Sequence, residues 1–328
     1  MEIALGNWKD GEAMARFLKT VMGSGATALA AAAGLAAFTA WNRKRAEQLV
    51  PPEGQFADVK GARLHYRAIG EGTPIVLIHG LGGQLRNFTY ALSALLSPHH
   101  RLVLVDRPGS GYSTYQGDGK CSLAAQAAMI VELIDQLGLE RPLVVGHSLG
   151  GAIALAMALG HPDRIGGLAL LAPLTQPIES IPPVFKALDL SSPIARTVLA
   201  WTLAAPAGRL GADAANAQIF GPEPVPADFE TRGGAALTLR PEAFVAACGD
   251  VEAVRSEMAG IATRYGELSI PIGIMFAAGD LLLDPSVHGR PTVAAIKGAE
   301  LKMIDGGHMF PLTQPQVTAD WIMKRAKT

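Results

Sequence analysis

Residues 143–151 read LVVGHSLGG, and one serine, Ser148, stands there between two glycines. Leu143, Val144 and Val145 form an apolar run with strand character. Ile153, Ala154, Leu155 and Met157 follow at helical spacing. Between the two runs the backbone must turn within a few residues. Gly146 and Gly150 lack the Cβ atoms that would collide in such a turn. A serine held at the bend projects its hydroxyl outward, with the start of a helix behind it. Whether that hydroxyl reacts depends on a base, an acid and an oxyanion site elsewhere in the chain.

The chain has 328 residues, of which 49% are hydrophobic and 17% charged. Its mean hydropathy is +0.25. That is ample for one large core, or for a core with a cap. The formal net charge of -1 supplies no basic field, so nucleic acid is excluded as a partner. Cys121 and Cys248 lie far apart without metal-ligand spacing and read as small buried residues.

The amino-terminal segment differs in composition. Val21 to Trp41 carries no charge and has about the 20 residues a membrane-crossing helix needs. Alanine and glycine dominate it, so its hydrophobicity is modest. The segment is expected to be a retained single-pass membrane anchor. Two other readings stand beside this one, a cleaved signal peptide and a helix packed on the domain. The basic cluster Arg43, Lys44 and Arg45 makes a poor mature start and disfavours cleavage. Arg16 and Lys19 precede the run, so basic residues flank both ends and leave the orientation open.

Beyond a linker at Gln48 to Gln55, strands and helical segments alternate. FADVKGARLHYRAIG from Phe56 reads as a strand and hairpin, PIVLIH at 74–79 and RLVLVD at 101–106 as buried strands. Ser122 to Leu137 has helical periodicity, and GLALLAP at 167–173 is another strand. This order predicts an α/β fold, mostly parallel, with helices on both faces. From about Leu174 to Glu267 the alternation stops and short proline- and alanine-rich helical stretches take over. IPIGIMFAAGD at 270–280 and AELKMID at 299–305 resume it, with a terminal helix from about Pro315. The expected domains are an anchor segment at 1–47, a core at 48–173, a helical cap at 174–267 and the rest of the core at 268–328. A cap inserted there covers the carboxyl edge of the sheet, where open parallel sheets bind ligands.

A Gly-x-Ser-x-Gly pattern with a strand before it and a helix after it marks a nucleophile elbow. With HGLGG at 79–83, DRPGSGYS at 106–113, GD at 279–280 and GGHMFP at 306–311, the chain resembles an α/β-hydrolase from about residue 56 to 325. Ser148 is then the expected nucleophile, and it needs a neighbouring base. His308, in a glycine-flanked loop after the last strand, is the expected base, since imidazole takes and returns a proton near neutrality. Asp280, where the resemblance puts the acid, is expected to hold one imidazole tautomer. Asp284 competes with it, whereas the APLTQP stretch after the preceding strand offers no carboxylate. The backbone N–H groups of Leu149 and Leu81 are the expected oxyanion donors. His79 and Asp106 read as residues that order turns.

A serine at the elbow argues against the epoxide and carbon–halogen chemistry of relatives that use aspartate there. Acyl transfer through an acyl-enzyme remains, and neither metal nor organic cofactor is implied. The cap offers Ile181, Val184, Phe185, Leu188, Leu199, Trp201 and Leu203, with few charges. An apolar cap and an anchor resemble the membrane-bound monoacylglycerol lipases. The expected substrate is a hydrophobic small-molecule ester, with a hydrophobic acyl group of short to medium chain length or a monoacylglycerol-like group. Carbon–carbon hydrolysis of ring-fission products, lactone hydrolysis and cofactor-free perhydrolysis (haloperoxidase chemistry) use the same three residues. A non-catalytic binding module is the remaining alternative.

Overall fold

A computed structural model describes residues 11–117 and 121–327. Helix α1 (Gly11–Leu49) precedes a hairpin of β1 (Gln55–Val59) and β2 (Ala62–Ile69), then β3 (Thr73–Ile78), β4 (His100–Val105) and a short β5 (Thr114–Tyr115). Next come α2 (Leu123–Gln136), β6 (Leu143–His147), α3 (Leu149–Gly160) and β7 (Gly167–Leu171). Three helices follow before the next strand: α4 (Pro193–Trp201), α5 (Ala204–Phe220) and α6 (Pro241–Ala262). The chain ends with β8 (Ile272–Ala277), β9 (Glu300–Ile304) and α7 (Pro315–Arg325).

The strands form one sheet in the order β1-β2-β4-β3-β6-β7-β8-β9, with β5 paired to β2. Pairing is parallel from β4 through β9 and antiparallel only around β2. The strand types follow from their surroundings. In β3, flanked by β4 and β6, Ile75 to Ile78 are fully buried, as a continuous apolar run in a parallel sheet demands. The β1–β2 hairpin at the edge mixes exposed and buried positions and turns through Gly61 at φ +86°. Helix α3 is buried along nearly its whole length, because it packs between the sheet and α2. Ser122 caps α2 by accepting from the Ala125 N–H at 2.9 Å.

The amino-terminal segment requires a correction. Residues 1–10 of the expected anchor lie outside the described residues. The rest is helical, yet among the described residues no helix is long and apolar enough to cross a membrane. Alanine and glycine contribute too little transfer energy per residue for that task. The helix also runs on to Leu49, through the start of the expected linker. Its carboxyl-terminal end packs on the segment between β7 and β8. Ala46 and Val50 bury against Ala236 and Leu237, Arg209 donates to Asn42 Oδ1 at 2.6 Å, and Arg43 pairs with Glu242 at 3.0 Å. This is the packed-helix reading of the segment.

Cys121 and Cys248 are free and buried, and burial pushes their thiols up to about 12 and about 11. His100, whose position in the sequence suggests a surface turn, is buried at the start of β4.

Candidate active site

Ser148 joins β6 to α3 with φ 55° and ψ -120°. An L-residue held there stores roughly 1–3 kcal/mol of strain. Three backbone bonds hold it. Its N–H donates to the Leu171 carbonyl at 3.0 Å, and its own carbonyl accepts from Gly151 at 2.9 Å and Leu174 at 3.0 Å. The flanking glycines are a steric necessity. A Cβ on Gly150 would lie 2.2 Å from the Ile78 carbonyl oxygen, and one on Gly146 2.5 Å from that of Gly150. Gly80 is equally constrained, since a Cβ there would meet the Ser148 Cβ at 2.9 Å.

Asp280 and His308 follow the adjacent parallel strands β8 and β9. Their loops are tied together by the Ala278 N–H to the Ile304 carbonyl at 2.8 Å and the Gly279 N–H to the Gly306 carbonyl at 2.9 Å. Residues 28 apart in sequence therefore meet, and His308 Nδ1 donates to Asp280 Oδ2 at 2.7 Å with both side chains buried. The other carboxylate oxygen accepts from the N–H groups of Leu282 at 2.8 Å and Leu283 at 3.0 Å. Burial opposes ionisation of Asp280, but the charge and hydrogen bond of His308 and these two N–H groups outweigh it. Its carboxyl is held below the ordinary carboxylate range. Asp284 is exposed and caps the short helix Pro285–His288 by accepting from the Ser286 N–H at 2.7 Å.

His147, next to the serine, turns its ring towards His308, with centroids 4.9 Å apart. Burial, reinforced by the His308 charge, pushes its pKa down to about 3. It is therefore neutral, and its Nε2–H donates to the His308 carbonyl at 3.0 Å. The residue before the serine thus braces the loop that carries the histidine. Nothing in its sequence position signals that role, which depends on how β6 and the last loop meet.

Leu149 is the first residue of α3, so its N–H has no acceptor within the helix. Leu81 faces it from the loop after β3, and the two residues line a common pocket with Ser148. That loop is held from beneath by Arg107, a fully buried arginine. Its guanidinium donates to the carbonyls of His79 and Gly80, each at 3.0 Å, and to Gln126 Oε1 at 3.0 Å. It also pairs with Asp250 of α6 at 2.9 Å, and Gln126 Nε2 donates to the same carboxylate at 2.9 Å. The Arg107 N–H donates to His79 Nε2 at 3.0 Å, which leaves Nδ1–H to bond the Gly80 carbonyl at 2.9 Å. Burial and the Arg107 charge hold His79 well below the usual histidine range.

Asp106 braces the next turn. It accepts from Leu85 N–H at 2.7 Å, from Tyr112 N–H at 2.8 Å and from His65 Nδ1 at 2.7 Å. Sequence reading finds Asp106 and misses Arg107 and Asp250. A cation closing a buried strand was the available signal for Arg107, whereas Asp250 becomes visible only once α6 is packed. Replacing Arg107 with methionine strands the Asp250 carboxylate without its counter-charge. That change is expected to cost about 3–5 kcal/mol of stability. A lowered denaturant midpoint at unchanged m-value would register it.

Ser148 and His308 open on a common cavity of about 940 Å³ beneath α4, α5 and α6. Of the apolar residues between 181 and 203 that sequence analysis singled out, all but Trp201 line this cavity or the smaller pocket beside it. The hydrogen bonds of the described residues include Asp280–His308 but none between the Ser148 hydroxyl and the imidazole. Such bonds tighten when substrate fills a site.

These features define a class. A model of the alpha/beta hydrolase fold matches residues 73–315, and the chain belongs to that family. Over 142 residues it is 35% identical to 2-hydroxymuconate semialdehyde hydrolase of Pseudomonas putida, covering 41% of this chain and 50% of that protein. Over 121 residues it is 40% identical to the dihydrolipoyllysine-residue acetyltransferase component of the acetoin cleaving system of Cupriavidus necator, covering 37% of this chain and 32% of that one. The chain thus spans about a third to a half of the length of these curated relatives. Among solved structures, the enol-lactonase of Burkholderia xenovorans superposes with a TM-score of 0.69 at 23% identity, covering 84% of this chain and all of that one. An esterase from Thermogutta terrifontis superposes with a TM-score of 0.63 at 21% identity, again over 84% of this chain and all of that one. At such identities the likeness concerns fold alone.

Proposed function

We propose that the protein is a serine hydrolase that cleaves apolar carboxylic esters through an acyl-enzyme, with Ser148 as nucleophile, His308 as general base and Asp280 as its orienting acid. The observation that carries this reading is the buried 2.7 Å bond between His308 Nδ1 and Asp280, at the edge of the cavity onto which the strained Ser148 opens. With its proton held on Nδ1, the imidazole presents a free Nε2 lone pair to the cavity. It takes the Ser148 proton as the hydroxyl oxygen bonds to the ester carbon. The carbonyl oxygen, now an alkoxide, is met by the N–H groups of Leu149 and Leu81. As the tetrahedral centre collapses, His308 returns the proton to the departing alcohol. A water activated by the same histidine then releases the acid and restores Ser148.

The lining favours a neutral substrate. Two arginines, Arg209 and Arg240, and two carboxylates, Asp213 and Glu230, line the larger cavity. Arg240 bonds the Gly111 carbonyl and pairs with Glu47, whereas among the described residues the exposed Arg209 bonds only the neutral amide oxygen of Asn42. Carbon–carbon cleavage of ring-fission products is the second reading, prompted by the likeness to the 2-hydroxymuconate semialdehyde hydrolase of Pseudomonas putida. A muconate-type substrate carries a carboxylate, which in this cavity meets the Asp213 and Glu230 carboxylates as well as the Arg209 guanidinium. The monoacylglycerol-like class loses its argument together with the membrane anchor. Hydrolysis of 4-nitrophenyl esters tests the proposal. Turnover of the acetyl and butanoyl esters is expected, and its absence in folded protein overturns ester cleavage as the reaction.

A further inference from the structure

Ser148 stands between two spaces of very different size. The larger, about 940 Å³, is lined by Ser148 and His308. The smaller, about 60 Å³, is lined by Ser148, Leu81, Leu149, Ile178 and Val254 among others, and His308 does not face it. Leu81, Phe185 and Leu282 border both.

The reaction assigns these spaces. Four groups surround the tetrahedral carbon: the serine oxygen, the oxyanion, the leaving oxygen and the acyl chain. The oxyanion lies against the N–H groups of Leu149 and Leu81. The leaving oxygen must lie within reach of His308, the only group proposed to protonate it, and so the alcohol extends into the space that His308 lines. The acyl chain takes the remaining direction, into the smaller pocket beside Leu81 and Leu149. At about 10–15 Å³ per water-sized group, that pocket holds about four to six non-hydrogen atoms.

From this we infer that the enzyme is selective for short acyl groups, about acetyl to hexanoyl, on bulky apolar alcohols. The inference rests on the ester-hydrolase reading and narrows the expectation from sequence, which allowed short- to medium-chain acyl groups and monoacylglycerol-like esters. Committed hydrogen bonds strengthen it. Asp250, which borders the small pocket, is locked to Arg107 and Gln126, so its floor is fixed to the core. Leu174 and Val254 belong to the main hydrophobic core, and the pocket does not widen without disturbing that packing.

A pair of mirror esters tests the assignment on the full-length protein. Decyl butanoate and butyl decanoate have the same atoms and the same apolarity, and differ only in which side of the ester is long. One surplus methylene in an apolar pocket is worth on the order of 10-fold, so kcat/KM is expected to favour decyl butanoate by at least about 30-fold. Equal rates, or a preference for butyl decanoate, overturn the assignment while leaving ester hydrolysis intact. If neither ester is cleaved, and 4-nitrophenyl acetate is not cleaved either, the ester-hydrolase reading has failed instead. Ile178→Ala, at the partly exposed rim of the small pocket, is expected to narrow the ratio about 3-fold or more by admitting longer acyl chains. An unchanged ratio in this variant places the acyl group elsewhere.

Discussion

Replacing Ser148 with alanine is expected to lower kcat at least about 10⁴-fold, leaving only what the oxyanion donors and substrate binding supply. The fold is not expected to suffer, because the three backbone bonds at this residue do not involve its side chain. Ser148→Gly separates backbone strain from chemistry. Glycine adopts φ 55° without a Cβ clash, so this variant is expected to lose the same activity while gaining about 1 kcal/mol of stability. Rates on 4-nitrophenyl butanoate and denaturant midpoints for the two variants provide the check. A glycine variant that is both inactive and more stable means the elbow strain is maintained for the hydroxyl. Retained turnover in either variant removes Ser148 from the chemistry.

Asp280→Asn is expected to reduce kcat about 10⁴-fold at neutral pH, because an amide offers His308 either tautomer and stabilises no imidazolium. The protein should remain folded, since an asparagine oxygen still accepts from Leu282 and Leu283. Asp284→Asn is the matched control. Its exposed carboxylate caps the short helix Pro285–His288, and asparagine caps about as well. Because the Asp280 carboxyl is held below its ordinary range, it stays ionised well into acid. The stability contributed by its pairing is present above about pH 4 and is lost as pH falls through the lowered native value. Steady-state rates for the two variants decide the assignment, and damage from Asp284→Asn alone reverses it.

The parts of this molecule that depend on local pattern were legible in the sequence. PIVLIH, LVVGH and GLALLAP are buried parallel strands because continuous apolar runs survive only between covered faces. The elbow was legible because its glycines answer to short-range sterics. The residues Asp280 and His308 were found at strand ends, and the fold brings them into contact. Features that depend on packing between distant segments were not legible. Arg107 and Asp250 lie 143 residues apart and meet only when α6 closes over the core. Glu223 is another case, lying in the Gly-Pro-Glu-Pro stretch at 221–224 within the segment expected to form the cap. It accepts from Gln314 at 3.0 Å and packs against Gly306 and Gly307, directly under the His308 loop. The amino-terminal helix misled because an uncharged run of alanine and glycine resembles a membrane span in length, whereas spanning requires apolarity as well.

All of the proposed chemistry requires that the His308–Asp280 pair activate Ser148. Treatment with a fluorophosphonate, followed by mass mapping of the modified peptide, reads this directly, since the reagent captures an activated serine oxygen and little else. The expected result is one adduct, on Ser148, formed rapidly in the native protein and slowed by orders of magnitude in Asp280→Asn. An unmodified Ser148 in folded protein, or an adduct on another residue, would contradict it.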